Sequence, residues 1–527
     1  MFEQERADNG TSFRLCSLRL FDHPILHNIS LRFSDEYDKS KNVYTTVIIG
    51  ENGIGKSYLL GVIAEIFCYL ERIKKWNSST NPRYYFYIEY MLGYNSFVFA
   101  NFKGDKPYEG RKRFTQCLIF KDGQEIYNLD MIPLPQRVIA SATTIADKYV
   151  ARSTEMYRYC GLRNESMTNF ISTRAMVRKT AFSILDSLET KSNFPEELVV
   201  LLKCLNFQPI LKLSFKLKHS EILVREDTTP LLIEKILNRG KLRPSDNLSD
   251  ERERNHYKSL EEYLRDDREE LYRNIDNEEE YYKYKQRLEL YYIASEFYRN
   301  LANRGFNGNN LTYSLLDDYI AIQDKEYLKV LTALDLISYP SLILFKKDEG
   351  FEFERSSTGE TNMICQMINI MSNIEPGSII LIDEPECSSH PNWQINYIGW
   401  LKDIFNRYSN CHFVISTHSH FLLTDLEPKS SSIIALSQSD GVLRDVAMGM
   451  NTYTWSVDDI LYRVFHVRNT RNRVFESKLI SLYSMISNGA EKEKVYSLMK
   501  ELSTYKLNEY DPINKLLTIA QTYAETK

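Results

Sequence analysis

Apolar and polar positions alternate along Arg14-Leu15-Cys16-Ser17-Leu18-Arg19-Leu20 and again along Ile29-Ser30-Leu31-Arg32-Phe33, with His23-Pro24 between them. A period of two predicts a half-buried hairpin. The run Thr45-Thr46-Val47-Ile48-Ile49 is different, because it is β-branched without interruption, which predicts a strand. It stops at Gly50, and the apolar stretch Tyr58 to Leu70 that follows predicts a buried helix. Further strands are expected at Tyr84 to Tyr90, Ser96 to Phe102 and Cys117 to Phe120, and a buried one at Arg137 to Ala142. From about residue 147 to 340 the periodicity turns helical, and Ser249 to Asn303 is dominated by Glu, Arg, Lys and Tyr. The α/β pattern resumes after Leu342, and the segment from Asp458 onward reads as a small helical domain. The expected organisation is an N-terminal α/β lobe (1–146), a helical insertion (147–341), a C-terminal α/β lobe (342–450) and a helical domain (451–527).

Composition narrows this picture only a little. At 527 residues the chain exceeds one ordinary core, so about two to four domains are expected. A net charge of −5 argues against a generally basic coat for nucleic acid, although a local patch remains open. The candidates are Arg111-Lys112-Arg113; Lys212, Lys216 and Lys218; and Arg468, Arg471 and Arg473, each equally readable as ordinary surface charge. Eight scattered cysteines form no C-x-x-C pair, which favours reduced, buried thiols over disulfides or a thiolate metal site. No stretch approaches the ~20 apolar residues of a membrane span. The N-terminus also lacks a secretory pattern, so a cytoplasmic protein is expected.

The chemistry concentrates at the ends of three predicted strands. Gly50-Glu51-Asn52-Gly53-Ile54-Gly55-Lys56-Ser57, followed by Tyr58, fits G-x-x-x-x-G-K-S between a strand and a helix. Backbone N–H groups of such a loop converge on phosphate, Lys56 can reach the β/γ oxygens, and Ser57 is placed to ligate Mg²⁺. The strand Ile379-Ile380-Leu381-Ile382 ends in Asp383-Glu384. Asp383 can share the Mg²⁺, and Glu384 can polarise the water that attacks the γ-phosphate. A third strand, His412 to Thr417, terminates at His418, whose neutral imidazole can contact a γ-phosphate oxygen. Upstream, Ser356-Ser357-Thr358-Gly359-Glu360 opens a helical run and would present N–H groups and a hydroxyl to an anion. Because the first loop already holds the near nucleotide, this second anion site needs a different phosphate. The fold class expected from these motifs is α/β.

Together with Glu386-Cys387-Ser388-Ser389-His390-Pro391 and Thr417-His418-Ser419-His420-Phe421-Leu422-Leu423, these strings resemble the ATP-binding-cassette type of P-loop ATPase. More narrowly they are similar to soluble ATPases of the overcoming-lysogenisation-defect and RecF groups. The resemblance extends furthest to the PtuA-like ATPases of Septu and retron antiphage defence. It is carried there by Arg137 to Ser141 with Asp147-Lys148, Tyr157 to Gly161, Asn451-Thr452-Tyr453, Asp459-Ile460-Leu461 and Val464-Phe465.

The resemblance implies an ABC-type head split by the insertion and closed by the helical C-terminal domain. It implies ATP and Mg²⁺ as ligands, and a head-to-tail dimer, or a higher oligomer, in which Ser357, Thr358, Gly359 and Glu360 of one copy complete the site of the other. It implies further partners: an HNH nuclease and, in retron systems, a reverse transcriptase with its RNA-linked DNA (msDNA). ATP hydrolysis would then fall to Lys56, Glu384 and His418. Two departures stand out. The usual signature glycine pair is Thr358-Gly359 here, and no glutamine closes the strand Arg137 to Ala142.

Other function classes fit the sequence less well. About 50 helical residues span only about 75 Å, too short for the long coiled coil of a chromosome-organising ATPase. A membrane-transporter cassette is disfavoured by the roughly 300 residues between Lys56 and Ser357. No Toprim or HNH constellation is visible, so no intrinsic nuclease is expected. A RecF-like repair ATPase working without a nuclease remains the alternative.

Overall fold

The computed structural model describes residues 12–34, 43–76, 82–103, 107, 117–127, 133–163, 173–238, 278–317, 319–338, 340–347, 349–353, 358–439, 442–445, 455, 459–460, 472–505, 511 and 513–525. Ser356, Ser357, Arg111 to Arg113, Arg468, Arg471, Asn451 to Tyr453 and the first half of the Glu/Arg/Tyr-rich run, all singled out above, lie outside the described residues. The chain divides into two compact units, Met1–Tyr453 and Thr454–Lys527.

In the first unit the expected hairpin forms as β1 (Phe13–His23) and β2 (His27–Arg32), and the phosphate-loop strand as β3 (Tyr44–Gly50). Helix α1 (Lys56–Trp76) follows directly. Next come β4 (Tyr85–Leu92), β5 (Asn95–Ala100), β6 (Leu118–Lys121), β7 (Gln124–Glu125), β8 (Val138–Ala142) and β9 (Tyr157–Tyr159). Strands β1, β2 and β4 to β7 make an antiparallel sheet in the order β2-β1-β4-β5-β6-β7. Helix α1 is apolar on nearly every side, and its burial accounts for that. Its Phe67 ring meets Phe13 at 5.9 Å and Tyr90 at 5.6 Å on the antiparallel sheet. The same core takes in Ile379, Leu381 and Val414 from the other side.

The insertion carries α2 (Thr173–Thr190), α3 (Phe194–Cys204), β10 (Leu211–Lys216), α4 (Pro230–Asn238), α5 (Glu278–Asn303), β11 (Asn310–Ser314) and α6 (Lys325–Ala333). After it come β12 (Ser341–Lys346) and β13 (Glu349–Glu352). The uniformly helical periodicity read for 147–340 needs correction. Strand β9 extends the central sheet beside β8, and β11-β10-β12-β13 form a four-stranded antiparallel sheet. Leu211, Leu213 and Phe215 are buried with Lys212 and Ser214 between them, a period-two pattern that is short and sits among charged helices. Lys212 lies over the Phe345 ring at 5.3 Å, Lys216 is exposed, and Lys218 pairs with Asp335 at 2.6 Å.

The remaining elements are α7 (Thr358–Asn373), β14 (Ile379–Asp383), α8 (Pro391–Ile404), β15 (His412–Ser416), β16 (Ser431–Ser439) and β17 (Val442–Asp445). The central sheet runs β17-β16-β3-β15-β14-β8-β9, parallel throughout except for β17. The first unit is thus an α/β head whose three motif-bearing strands, β3, β15 and β14, are adjacent and point the same way. Ligands of open parallel sheets bind beyond the carboxyl ends of the strands, and all three motifs lie there.

Among the described residues of the second unit, α9 (Arg473–Ser487), α10 (Lys492–Ser503) and α11 (Ile513–Glu525) pack around Leu482, Val495, Met499, Leu502 and Ala520. Asn472 caps α9, its side chain accepting from the Val474 N–H at 2.9 Å. No described helix is long and apolar enough to cross a membrane.

Candidate active site

The phosphate loop leaves β3 at Gly50 and enters α1 at Lys56. Gly55 has φ +106°, and a Cβ there would lie 2.6 Å from Leu26 Cδ2, so only glycine fits. Glu51, Asn52 and Gly53 are exposed, Ile54 and Tyr58 half-buried. The Lys56 ammonium folds back over its own loop, donating to the carbonyls of Gly50 at 2.9 Å and Glu51 at 3.1 Å. The residue is 4% exposed, and burial holds its pKa down at about 8 against the opposing pull of Glu384, Glu386 and Asp383.

That depression makes two pH predictions of opposite sign. Phosphate binding uses the charged amine, so ATP affinity should hold below about pH 8 and fall towards about tenfold per unit above it. Calorimetric titrations between about pH 7 and 9.5 check this. Unfolded lysine keeps its proton up to the ordinary value of 10.5, so the unfolded chain binds more protons between about 8 and that value. This group's contribution to nucleotide-free stability therefore rises with pH across the window.

Asp383, 2% exposed at the tip of β14, receives on Oδ1 the hydroxyls of Ser57 at 3.0 Å and of Ser416. Burial raises its pKa, while the Ser416 and Ser57 hydroxyls pull it back towards the charged form. A hydroxyl and a carboxylate held together from a helix start and a strand end are hard oxygen donors, which suit Mg²⁺.

Glu384, one residue further, has φ +46°, donates its N–H to Ser416 O at 3.0 Å and accepts Thr143 Oγ1 on its carbonyl at 2.8 Å. The left-handed turn sends its side chain to His418, with Oε1 3.2 Å from Nε2. The other ring nitrogen, Nδ1, is 3.2 Å from Lys56 Nζ. A charged lysine can only donate, so Nδ1 accepts and Nε2–H faces Glu384. His418 thus bridges the phosphate-loop cation and the candidate base, and its hydrogen bond is the main reason that the Glu384 pKa is lowered. A base kept ionised beside a phosphate-binding amine can orient a water without being neutralised.

The structure brings Lys56, Ser57, Asp383, Glu384 and His418 into one constellation. It also shows supports that the motif reading assigned no role. Glu386 Oε1 accepts the His418 N–H at 2.6 Å and Thr417 Oγ1 at 2.7 Å, and Ser419 Oγ donates to Gln394 Oε1 at 2.7 Å. Their signal in the sequence was spacing alone, an acid two residues past Glu384.

Gly359, near the start of α7, is buried against the turn that follows the acid pair. A Cβ on it would lie 2.0 Å from Ser388 O and 3.2 Å from Ser389 Cα. Glu360, beside it, is 3.7 Å from Lys346 Nζ. Gly359→Ala is therefore expected to displace the 388–389 turn and cost about 1–3 kcal/mol, as overpacking does. Thermal melting against the parent reads this, and an unchanged midpoint would contradict the contact.

A profile of the AAA ATPase domain family matches residues 25–423. Septu protein PtuA of Bacillus mycoides (strain KBAB4) is 22% identical over 218 residues, which are 40% of this chain and 29% of that protein's length. Among solved structures, the SMC head domain of Thermotoga maritima overlays 82% of this chain and 98% of its own at 10% identity and a TM-score of 0.34. The Pyrococcus furiosus Smc head domain with an extended coiled coil covers 87% and 100% at 13% and 0.29. The recombination mediator RecF–ATP covers 83% and 98% at 13% and 0.26.

Proposed function

Because the chain belongs to the AAA ATPase domain family, we propose that it is the ATP-binding and slowly hydrolysing subunit of an antiphage defence complex. In this reading ATP-dependent assembly of the chain controls a partner nuclease of HNH type. The observation that carries the ATPase half is the contact chain Lys56–His418–Glu384 beside the Ser57–Asp383 pair. Gly50 to Tyr58 would hold the triphosphate, and Ser57 with Asp383 would hold Mg²⁺, which would supply charge neutralisation on the phosphates. Glu384 orients the attacking water, and His418 contacts the γ-phosphate and keeps Glu384 ionised.

Ser357, Thr358, Gly359 and Glu360 of a second copy would close the site over the γ-phosphate, making ATP the joint of a head-to-tail dimer or larger oligomer. The defence half is supported by the PtuA match and by the strings shared with that group. It carries with it a cytoplasmic location, no nuclease centre of its own, and a reverse transcriptase with msDNA in retron versions. Lys212, Lys216, Lys218 and Arg473 are the described residues offered for phosphate contacts with nucleic acid.

The deciding experiment purifies the chain with the product of the neighbouring gene and assays DNA and tRNA cleavage with and without ATP. ATP-controlled cleavage by the complex supports the defence reading. ATP turnover with no associated nuclease favours the RecF-like alternative, and no ATP binding overturns both.

A further inference from the structure

Strand β8 runs parallel to β14 with Ala142 opposite Asp383, so the chain leaving β8 starts beside the metal-site carboxylate. That chain is then clamped onto α1. Gly61 lies one helical turn after Ser57 and shares its face. A Cβ on Gly61 would sit 2.6 Å from the Lys148 carbonyl oxygen, so the missing side chain is what admits the segment. Lys148 Nζ also lies over the Tyr58 ring at 5.0 Å. The next residue, Tyr149, is fixed from its other side: its N–H donates to Asp147 Oδ1 at 3.1 Å and its carbonyl accepts from Arg163. Asp147 is itself buried and receives Tyr159 OH at 2.8 Å and Arg163 Nη2 at 2.5 Å.

This much anchoring holds a buried phenol in place. Tyr149 is 4% exposed, and its hydroxyl has no hydrogen-bond partner among the described residues. A buried, unpaired hydroxyl is costly and uncommon. Burial is the first cause holding its proton in place, and the negative field of Asp383 is the second, ahead of Asp147 two residues away.

We propose that Tyr149 is a positioning residue for the metal half of the site, its hydroxyl serving as a donor to the Asp383 carboxylate that, with Ser57, would hold Mg²⁺. This rests on the assignment of Ser57 and Asp383 to Mg²⁺ made above. Ser57 and Ser416 both bond Asp383 through Oδ1, so a donor on the adjoining segment would fix the orientation of the carboxylate plane.

The test compares the full chain with Tyr149→Phe in two measurements: binding of a fluorescent ATP analogue titrated with Mg²⁺, and thermal melting without nucleotide. The Mg²⁺ concentration for half-maximal binding should rise about tenfold, as loss of an outer partner of a metal ligand does. Binding in EDTA should be unchanged, and the nucleotide-free melting temperature should hold or rise because the unpaired hydroxyl is gone. A Mg²⁺ requirement within twofold of the parent's overturns the proposal. So does a lowered melting temperature with equal weakening in Mg²⁺ and in EDTA, which marks a merely structural side chain. A parent that shows no Mg²⁺-dependent ATP binding overturns the metal-site reading along with it, whereas parental binding matched by the variant overturns this proposal alone.

Discussion

Lys56→Ala should weaken ATP binding by at least about 100-fold, about 3 kcal/mol, while leaving the nucleotide-free protein as stable as the parent or more so. The affinity loss follows from removing a charge-assisted donor, worth about 1.5–3 kcal/mol per bond, from a site in which Lys56 is buried beside the loop. The stability sign follows from the same burial. Depression of the Lys56 pKa from 10.5 to about 8 means that the folded chain holds this ammonium at a cost of about 3 kcal/mol below pH 8. Alanine removes that cost together with the two bonds to the Gly50 and Glu51 carbonyls, which water can replace because Glu51 is exposed. Isothermal calorimetry and thermal melting read the two halves separately. Undiminished ATP affinity would remove Lys56 from the phosphate site. Lost affinity accompanied by a collapsed melting temperature would mean that the amine serves the fold instead.

Much of the head was legible in the sequence because its signals are local. Thr45 to Ile49 is an unbroken β-branched run that stops at Gly50, Ile379 to Ile382 is an apolar run that stops at Asp383, and β3 and β14 form there. The neighbouring order β3-β15-β14 is not local, and neither is the bridge from Lys56 to His418, which spans 362 positions. Motif knowledge placed those residues near one phosphate, but only the fold shows that the imidazole touches lysine and glutamate at once. The sheet β11-β10-β12-β13 was missed for a physical reason. Its partners β10 and β11 are separated by α4 and α5, so short alternations such as Leu211-Lys212-Leu213 had no visible neighbour to pair with.

The same distinction separates Glu384 from Glu386. Both acids follow the strand, and spacing alone cannot divide their tasks. The left-handed turn at Glu384 aims it at His418 beside Lys56, whereas Glu386 takes the backbone of His418 and the Thr417 hydroxyl. One carboxylate faces His418 and Lys56, and the other holds the backbone of that histidine.

Glu384→Gln should therefore uncouple ATP binding from turnover. Glutamine matches the shape of Glu384, its Oε1 can still accept from His418 Nε2, and the φ +46° turn is untouched, so the loop and Lys56 remain in place. What disappears is the negative charge that orients and polarises the attacking water, and ATP hydrolysis should fall about 100-fold or more, about 3 kcal/mol in the barrier. ATP binding should persist or tighten, because a repulsive charge beside the γ-phosphate is gone. If ATP joins two copies of the chain, the variant should accumulate in the joined state: light scattering with ATP and Mg²⁺ should report at least a doubled mass that the parent shows only transiently, with stoichiometric ATP retained after gel filtration. Parental turnover in the variant would take Glu384 out of the water-orienting role. Slow turnover with an unchanged mass would keep the hydrolysis site and discard ATP as the joint, because hydrolysis would then no longer set the lifetime of an assembly.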